Sequence, residues 1–152
     1  MDDKDRALLV ELQRNARLPI AELADRAGLS TASVQRRLKT LREDGVIKGE
    51  VAMLDRQKIG LGVTAVILVD LERDRLDQID AFKRKARAEP QVLHLYCIAG
   101  EMDFVVIAVA RDMADYEALT HRLFFADANV RKFRTSIVVS TEKASSEYPI
   151  LA

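Results

Sequence analysis

The chain has one cysteine, Cys97, so no intramolecular disulfide can close, and a disulfide-stapled secreted scaffold is excluded. An excess of either charge is also missing. Its 24 Lys and Arg residues balance 24 Asp and Glu residues, which argues against a protein that coats nucleic acid through bulk charge but leaves room for a local basic face. Apolar runs such as FVVIAVA, residues 104–110, fall far short of the roughly 20 residues that span a bilayer. The opening MDDKDR is charged and leads into no signal-type apolar core. These gaps lead us to expect a soluble cytoplasmic protein with no membrane partner. What is present is a hydrophobic fraction of 49% over 152 residues, enough to pack one ordinary domain or two small ones.

The most informative stretch is LADRAGLSTASVQRRLKTLREDGVI, residues 23–47. Leu23, Ala24 and Ala27 put an apolar stripe on a short helix that Gly28 ends, since glycine enters the left-handed conformation without steric cost. Ser30 is placed to cap a second helix, in which Val34, Leu38 and Leu41 share one face at core spacing. Arg36 lies nearly opposite that stripe, flanked by Ala32, Ser33, Lys39 and Thr40. Two short helices around a glycine turn, the second with a small, polar and basic outer face, predict a helix-turn-helix.

In chain order, residues 4–14 predict a first helix with Leu8, Leu9 and Leu12 inward. Asp2, Asp3 and Asp5 are near its N-terminus, where negative charge suits the helix dipole. Pro19 opens a second helix to Ala27, and a third runs from Thr31 to about Asp44. Residues 46–54 alternate loosely and predict a strand that pairs into a wing. The polar, glycine-bearing stretch 55–62 reads as a hinge. Beyond it, strands are expected over 63–71, 91–99, 103–110 and 129–142, and helices over 75–88 and 112–125. The charge-rich 72–89 reads as a salt-bridged outer helix face.

The order βαββαβ, with an internal echo between residues 66–92 and 106–130, predicts a ferredoxin-like sandwich with both helices on one sheet face. Yet Val105, Ile107 and Val109 alternate with Phe104, Val106 and Ala108, and neither set is polar. An uncovered apolar sheet face is unlike a monomer, so pairing of sheets between subunits is expected. The fold class is therefore α+β. A winged helix-turn-helix over 1–50 and a linker over 51–62 precede a ferredoxin-like domain over 63–142 and a tail over 143–152.

With both halves in view, the sequence resembles the Lrp/AsnC, or feast/famine, family of transcriptional regulators. The likeness rests on LADRAGLS and VQRRLKTLREDGVIKG in the first half, and on IAGEMDF and RTSIVV in the second. It implies a homodimer that assembles further to an octamer, an amino-acid effector held in the second domain, and a pseudo-palindromic double-stranded DNA operator. Asp127-Ala128-Asn129-Val130 stands where many members carry a Pro-Gly-Val turn, and Pro19 where many carry Ser or Thr.

Base readout from a helix N-terminus needs short side chains for close approach and then donors that reach base edges. Thr31, Ala32 and Ser33 supply the first. Gln35 and Arg36 supply the second, while Arg37, Lys39 and Arg42 are assigned to phosphates, where contacts set register and affinity, and Ser30 and Thr40 complete the DNA face. The competing reading is a solvated basic face. For the effector, a Gly-led loop, Gly100-Glu101-Met102-Asp103, can present N–H groups to a carboxylate, and Asp103 can receive an ammonium. Tyr96 and Phe104 flank it, and the resemblance brings Thr135 and Ser136 toward it, across a subunit boundary. The competing reading is a plain hairpin turn with Asp103 bonded to its own backbone.

No catalytic residue, cofactor or metal ligand set is expected. His94, His121 and Cys97 lack ligand spacing, and Cys97 is expected to pack as a small hydrophobe in a strand. Two other functions share the architecture. One is an enzyme like the siroheme decarboxylases, the other a metabolite-binding oligomer without DNA binding.

Overall fold

A computed structural model of the chain describes residues 1–72 and 76–150. Residue 75, expected to begin a helix, and the tail's last two residues lie outside the described set, as do 73–74 of the charge-rich stretch. The chain divides into two compact units, residues 1–53 with 142–152, and residues 54–141.

In the first unit, helices α1 (Asp3–Arg14), α2 (Ile20–Ala27) and α3 (Thr31–Glu43) follow one another. Each begins where a local signal sets it. Asp2 caps α1 in a reciprocal capping box with Asp5, Pro19 precedes α2, and the Ser30 hydroxyl accepts from the Ser33 N–H. Gly28 takes φ +61°, and the Leu29 N–H returns to the Ala24 carbonyl at 2.9 Å, which turns the chain from α2 into α3. The Lys4 ammonium donates to the Ala27 carbonyl at 2.7 Å, satisfying another C-terminal acceptor of α2. Leu8, Leu23, Ala24, Ala27, Val34, Leu38 and Leu41 form the core.

The expected wing strand does not form. Residues 46–54 contain no ladder. Ile47 instead turns back to pack on the helical core, its N–H bonded to the Leu41 carbonyl at 3.0 Å. Val51, Met53 and Leu54 are exposed. No strand among the described residues pairs with this segment, and alternation without a partner makes no ladder.

The second unit is a four-stranded antiparallel sheet in the order β2-β3-β1-β4. Its strands are β1 (Val63–Leu71), β2 (Val92–Cys97), β3 (Phe104–Ala110) and β4 (Val130–Ile137). Helices α4 (Leu76–Ala88) and α5 (Met113–Thr120) complete the βαββαβ order. The α5 helix runs on into a π-helical turn, His121–Phe125, closed by the Ala126 N–H on the His121 carbonyl. Strands β2 and β4 are shorter than expected, β2 stopping at Cys97 and β4 at Ile137, with one further bond from the Val138 N–H.

Alternation divides the sheet cleanly. Ala65, Ile67, Val69, Phe104, Val106 and Ala108 face the helices and pack on Phe82, Leu119, Leu123 and Phe124. Their neighbours Val66, Leu68, Val105 and Ile107 point to the other face, which no described element of the second unit covers, and are only half-buried. The outer face of α4 carries the Lys83–Asp80 pair, while Lys85 and Glu89 reach Asp127 and Arg122.

Candidate nucleic-acid interface and effector loop

Helix α3 presents its residues in three groups. Val34, Leu38 and Leu41 are buried. Thr31, Ala32, Gln35, Arg36, Lys39, Thr40 and Arg42 are exposed, and Ser33 is half-buried at the capped first turn. The third group is Arg37 alone. Its side chain is 25% exposed and its guanidinium donates to both Asp2 oxygens, at 2.9 and 2.8 Å, and to Asp5 at 2.7 Å. Assigned from sequence to phosphate contact, Arg37 is occupied within its own unit, stapling α3 to the start of α1. The Asp5 N–H and then the Arg37 guanidinium hold the Asp2 carboxyl below the usual carboxylate range. The Asp5 and Asp2 carboxylates hold Arg37 above its own range.

The remaining cations differ in how free they are. Arg42 pairs with Glu50 at 2.8 Å and Lys39 with Glu43 at 3.7 Å, both at the surface. Arg36 makes no ion pair with any described residue; only its carbonyl is engaged, by the Thr40 hydroxyl at 3.2 Å. Across the exposed face, Thr31 and Ala32 lead and Gln35 and Arg36 follow, which is a surface able to enter a groove and reach base edges.

The loop at the start of β3 is more tightly built than its sequence indicates. Gly100 takes φ +155°. The Ile98 N–H donates to the Asp103 carbonyl and the Asp103 N–H to the Val69 carbonyl, each at 2.9 Å. Asp103 Oδ2 accepts the Leu71 N–H at 2.7 Å, so one carboxylate oxygen terminates the β1–β3 ladder. Met102 is buried, as is Phe104, whose ring packs 5.1 Å from that of Phe82. In this chain Met102 and Phe104 therefore offer the loop their backbone, not their side chains. Glu101 is exposed, and Tyr96 projects from the uncovered face, stacked 5.8 Å from His94.

Thr135 and Ser136 do not meet this loop within the chain. They pair with Ile67 and Val66 of β1, and β1 separates them from β3. Two strand spacings, about 10 Å, intervene. The Thr135 hydroxyl bonds Tyr116 on α5 at 2.5 Å, while Ser136 is exposed on the opposite face.

Sequence reasoning missed one buried charge. Asp70 pairs with Lys132 in the ladder, and the register shifts beside it. That shift leaves Arg131 as the extra residue of a bulge, its guanidinium bonded to Asp70. Arg131 holds the Asp70 carboxyl below the carboxylate range. The available signal was a lone acid at the end of an apolar run. Cys97, expected to pack inward, is exposed at the end of β2, where the strand stops before the core closes over it. Among the described residues no cluster of three His, Cys, Asp or Glu could hold a metal. No helix among them is long and apolar enough to cross a membrane.

A helix-turn-helix with a basic, exposed second helix, joined to a ligand-binding sandwich, defines a DNA-binding transcriptional regulator. The Lrp/AsnC ligand-binding domain matches residues 64–148 and a winged helix-turn-helix DNA-binding domain matches residues 1–48. The chain belongs to the Lrp/AsnC family, and it is a transcriptional regulator, not an enzyme. Among curated relatives, it is 41% identical over 99% of its length to the regulator y4tD of Sinorhizobium fredii, covering 89% of that protein. Among solved structures, it superposes on an AsnC-family regulator from Agrobacterium tumefaciens with TM-score 0.93 at 31% identity, over 98% of this chain and 97% of that one. A Neisseria meningitidis regulator in complex with L-methionine gives TM-score 0.92 at 30% identity, over 98% and 96% of the two chains.

Proposed function

We propose that the protein reads a pseudo-palindromic operator with two copies of α3 and that an amino acid bound in the second unit adjusts this binding. The observation that carries the reading is the sorting of cations on α3. Arg37 is tied inward to Asp2 and Asp5, whereas Arg36 is exposed and unpaired among the described residues, beside Gln35. Arg36 and Gln35 read bases; Lys39 and Arg42 hold phosphates, Arg42 after exchanging Glu50 for a phosphate oxygen. Paired heads would meet half-sites about one helical turn, roughly 34–36 Å, apart or at a multiple of it.

The second copy comes through the sheet. Val66, Leu68, Val105 and Ile107 form an apolar stripe that a matching sheet from another protomer would bury, and dimers then assemble to an octamer in the cytoplasm. The effector is an amino acid, as in the Neisseria meningitidis relative solved with L-methionine. Its carboxylate meets the N–H groups around Gly100 and Glu101, and its ammonium the Asp103 oxygen not committed to Leu71. Since β1 keeps Thr135 and Ser136 from the loop within one chain, a neighbouring protomer supplies them. An effector changes DNA binding only if it prefers one assembly over another.

The test is fluorescence anisotropy on the DNA upstream of the protein's own gene against a random duplex, over a salt series, with and without the twenty amino acids. Preferential binding that shifts with the amino acids is the expected result. Equal affinity for both duplexes at every salt concentration would sink the reading of α3, and preferential binding without a shift would sink the effector site.

A further inference from the structure

The last nine described residues, 142–150, belong to the first unit although they follow the last strand of the second. One side chain of α1 pairs with this segment in both directions. Gln13, on the last turn of α1, donates from Nε2 to the Tyr148 carbonyl at 3.1 Å and accepts the Tyr148 N–H on Oε1 at 2.6 Å. A primary amide thus pairs with one backbone residue in both directions, as a strand edge would. The Ser146 hydroxyl approaches the Met53 sulfur at 3.9 Å, and the Ser145 hydroxyl accepts the Glu147 N–H at 3.0 Å, bending the segment. The Tyr148 ring itself is 81% exposed, so the contact depends on the backbone and not on aromatic burial.

At its other end the segment follows the sheet after few residues. The Val138 N–H still bonds the Thr64 carbonyl at 2.9 Å, and the first unit resumes at residue 142. Only residues 139–141 intervene, four peptide steps that extend to about 14 Å at most. Two covalent connections therefore leave the second unit for the first, one through residues 53–54 and one through this short strap. The strap begins immediately after Ile137, next to Thr135 and Ser136.

We infer that residues 142–150 are a clasp, closed by Gln13 on Tyr148, which gives the DNA-binding unit its second tether and limits how freely each head moves. The inference rests on the reading of paired heads on one operator. A head on two tethers presents itself to the second half-site at a higher effective concentration than a head on one flexible linker. The clasp thus raises affinity for paired half-sites without touching DNA.

The test compares the full-length protein with Gln13→Ala, which removes both bonds, and Tyr148→Pro, which removes the N–H. Tyr148→Ala, which keeps the backbone pair, is the control. Each is titrated against a duplex selected by the wild type from a random pool, intact or with one half-site scrambled, and each is followed by hydrogen exchange. Gln13→Ala and Tyr148→Pro are expected to keep wild-type affinity for the scrambled duplex and lose several-fold on the intact one. Tyr148→Ala should match the wild type on both. Exchange should show protection at the Tyr148 amide in the wild type, lost in Gln13→Ala, with α3 amides unchanged. A preserved advantage for paired half-sites in Gln13→Ala overturns the inference, as does unprotected exchange at residue 148 in the wild type. A wild type that gains nothing from the second half-site overturns the paired-head reading, and the exchange result then decides whether the clasp exists.

Discussion

The Arg37 guanidinium lies 2.7 Å from the Asp5 carboxylate, so the start of α1 and the middle of α3 are held together by charge as well as by apolar packing. On the proposed reading, two adjacent arginines have opposite tasks. Arg36→Ala is expected to fold normally and to relax sequence preference at one base pair, by about 1–3 kcal/mol. Arg37→Ala is expected to lower the melting temperature, with DNA binding at low temperature retained. A double-mutant cycle with Asp5→Ala, read by thermal melts, checks the pairing. If Arg37→Ala instead lost specificity at full stability, the assignments would be reversed.

On the proposed reading, Arg42 is the phosphate counterpart. Its Ala variant should weaken specific and random duplexes alike and reduce the slope of log K against log salt by about 1. Glu50→Gln frees Arg42 from its ion-pair partner among the described residues and should strengthen both duplexes modestly at low salt. Titration at four salt concentrations separates these outcomes.

The pH dependence of stability follows from Asp2. Its folded-state pKa lies below the ordinary value because the Asp5 N–H and Arg37 favour the ionised form. An acid depressed in the folded state contributes stability above its unfolded pKa, near 3.9, and loses it as pH falls through the folded value. Asp2→Asn keeps a capping oxygen but no charge. Melts should show it less stable than the wild type at pH 7, the gap closing as pH drops below 4. A gap independent of pH would mean that capping, not charge, is what Asp2 supplies.

How much of this was legible in the sequence depends on how local each cause is. The stripe of Val34, Leu38 and Leu41, the Ser30 cap and the Gly28 turn each act within a turn or two, and the spacing alone gave α2 and α3 nearly residue for residue. The run 63–71 matched β1 because a central strand is apolar on both faces. The ion pairs of Arg37 were not legible because its partners lie 35 and 32 positions away, and no spacing rule connects them. Residues 46–54 alternate like a strand, but pattern does not supply a partner. Residues 143–152 were read only as a tail because the pairing of Tyr148 with Gln13 uses backbone groups and one glutamine, neither of which has a sequence signature. The effector residues stayed apart for a similar reason, since β1 divides the loop from Thr135 and Ser136 within one chain.

Asp103 distinguishes a structural turn from a binding site. Its Oδ2 accepts the N–H of buried Leu71. Asp103→Ala leaves that donor without a partner and should cost about 1–3 kcal/mol in the second unit. Asp103→Asn keeps an acceptor oxygen for Leu71 and removes only the charge, so it should melt close to the wild type. If the loop holds an amino acid through its ammonium, the Asn variant alone should abolish the response of DNA binding to added amino acids while leaving basal affinity intact. Anisotropy with and without the amino-acid mixture reads this directly. An Asn variant that responds like the wild type would leave Asp103 as a ladder terminator and move the ammonium site to another group.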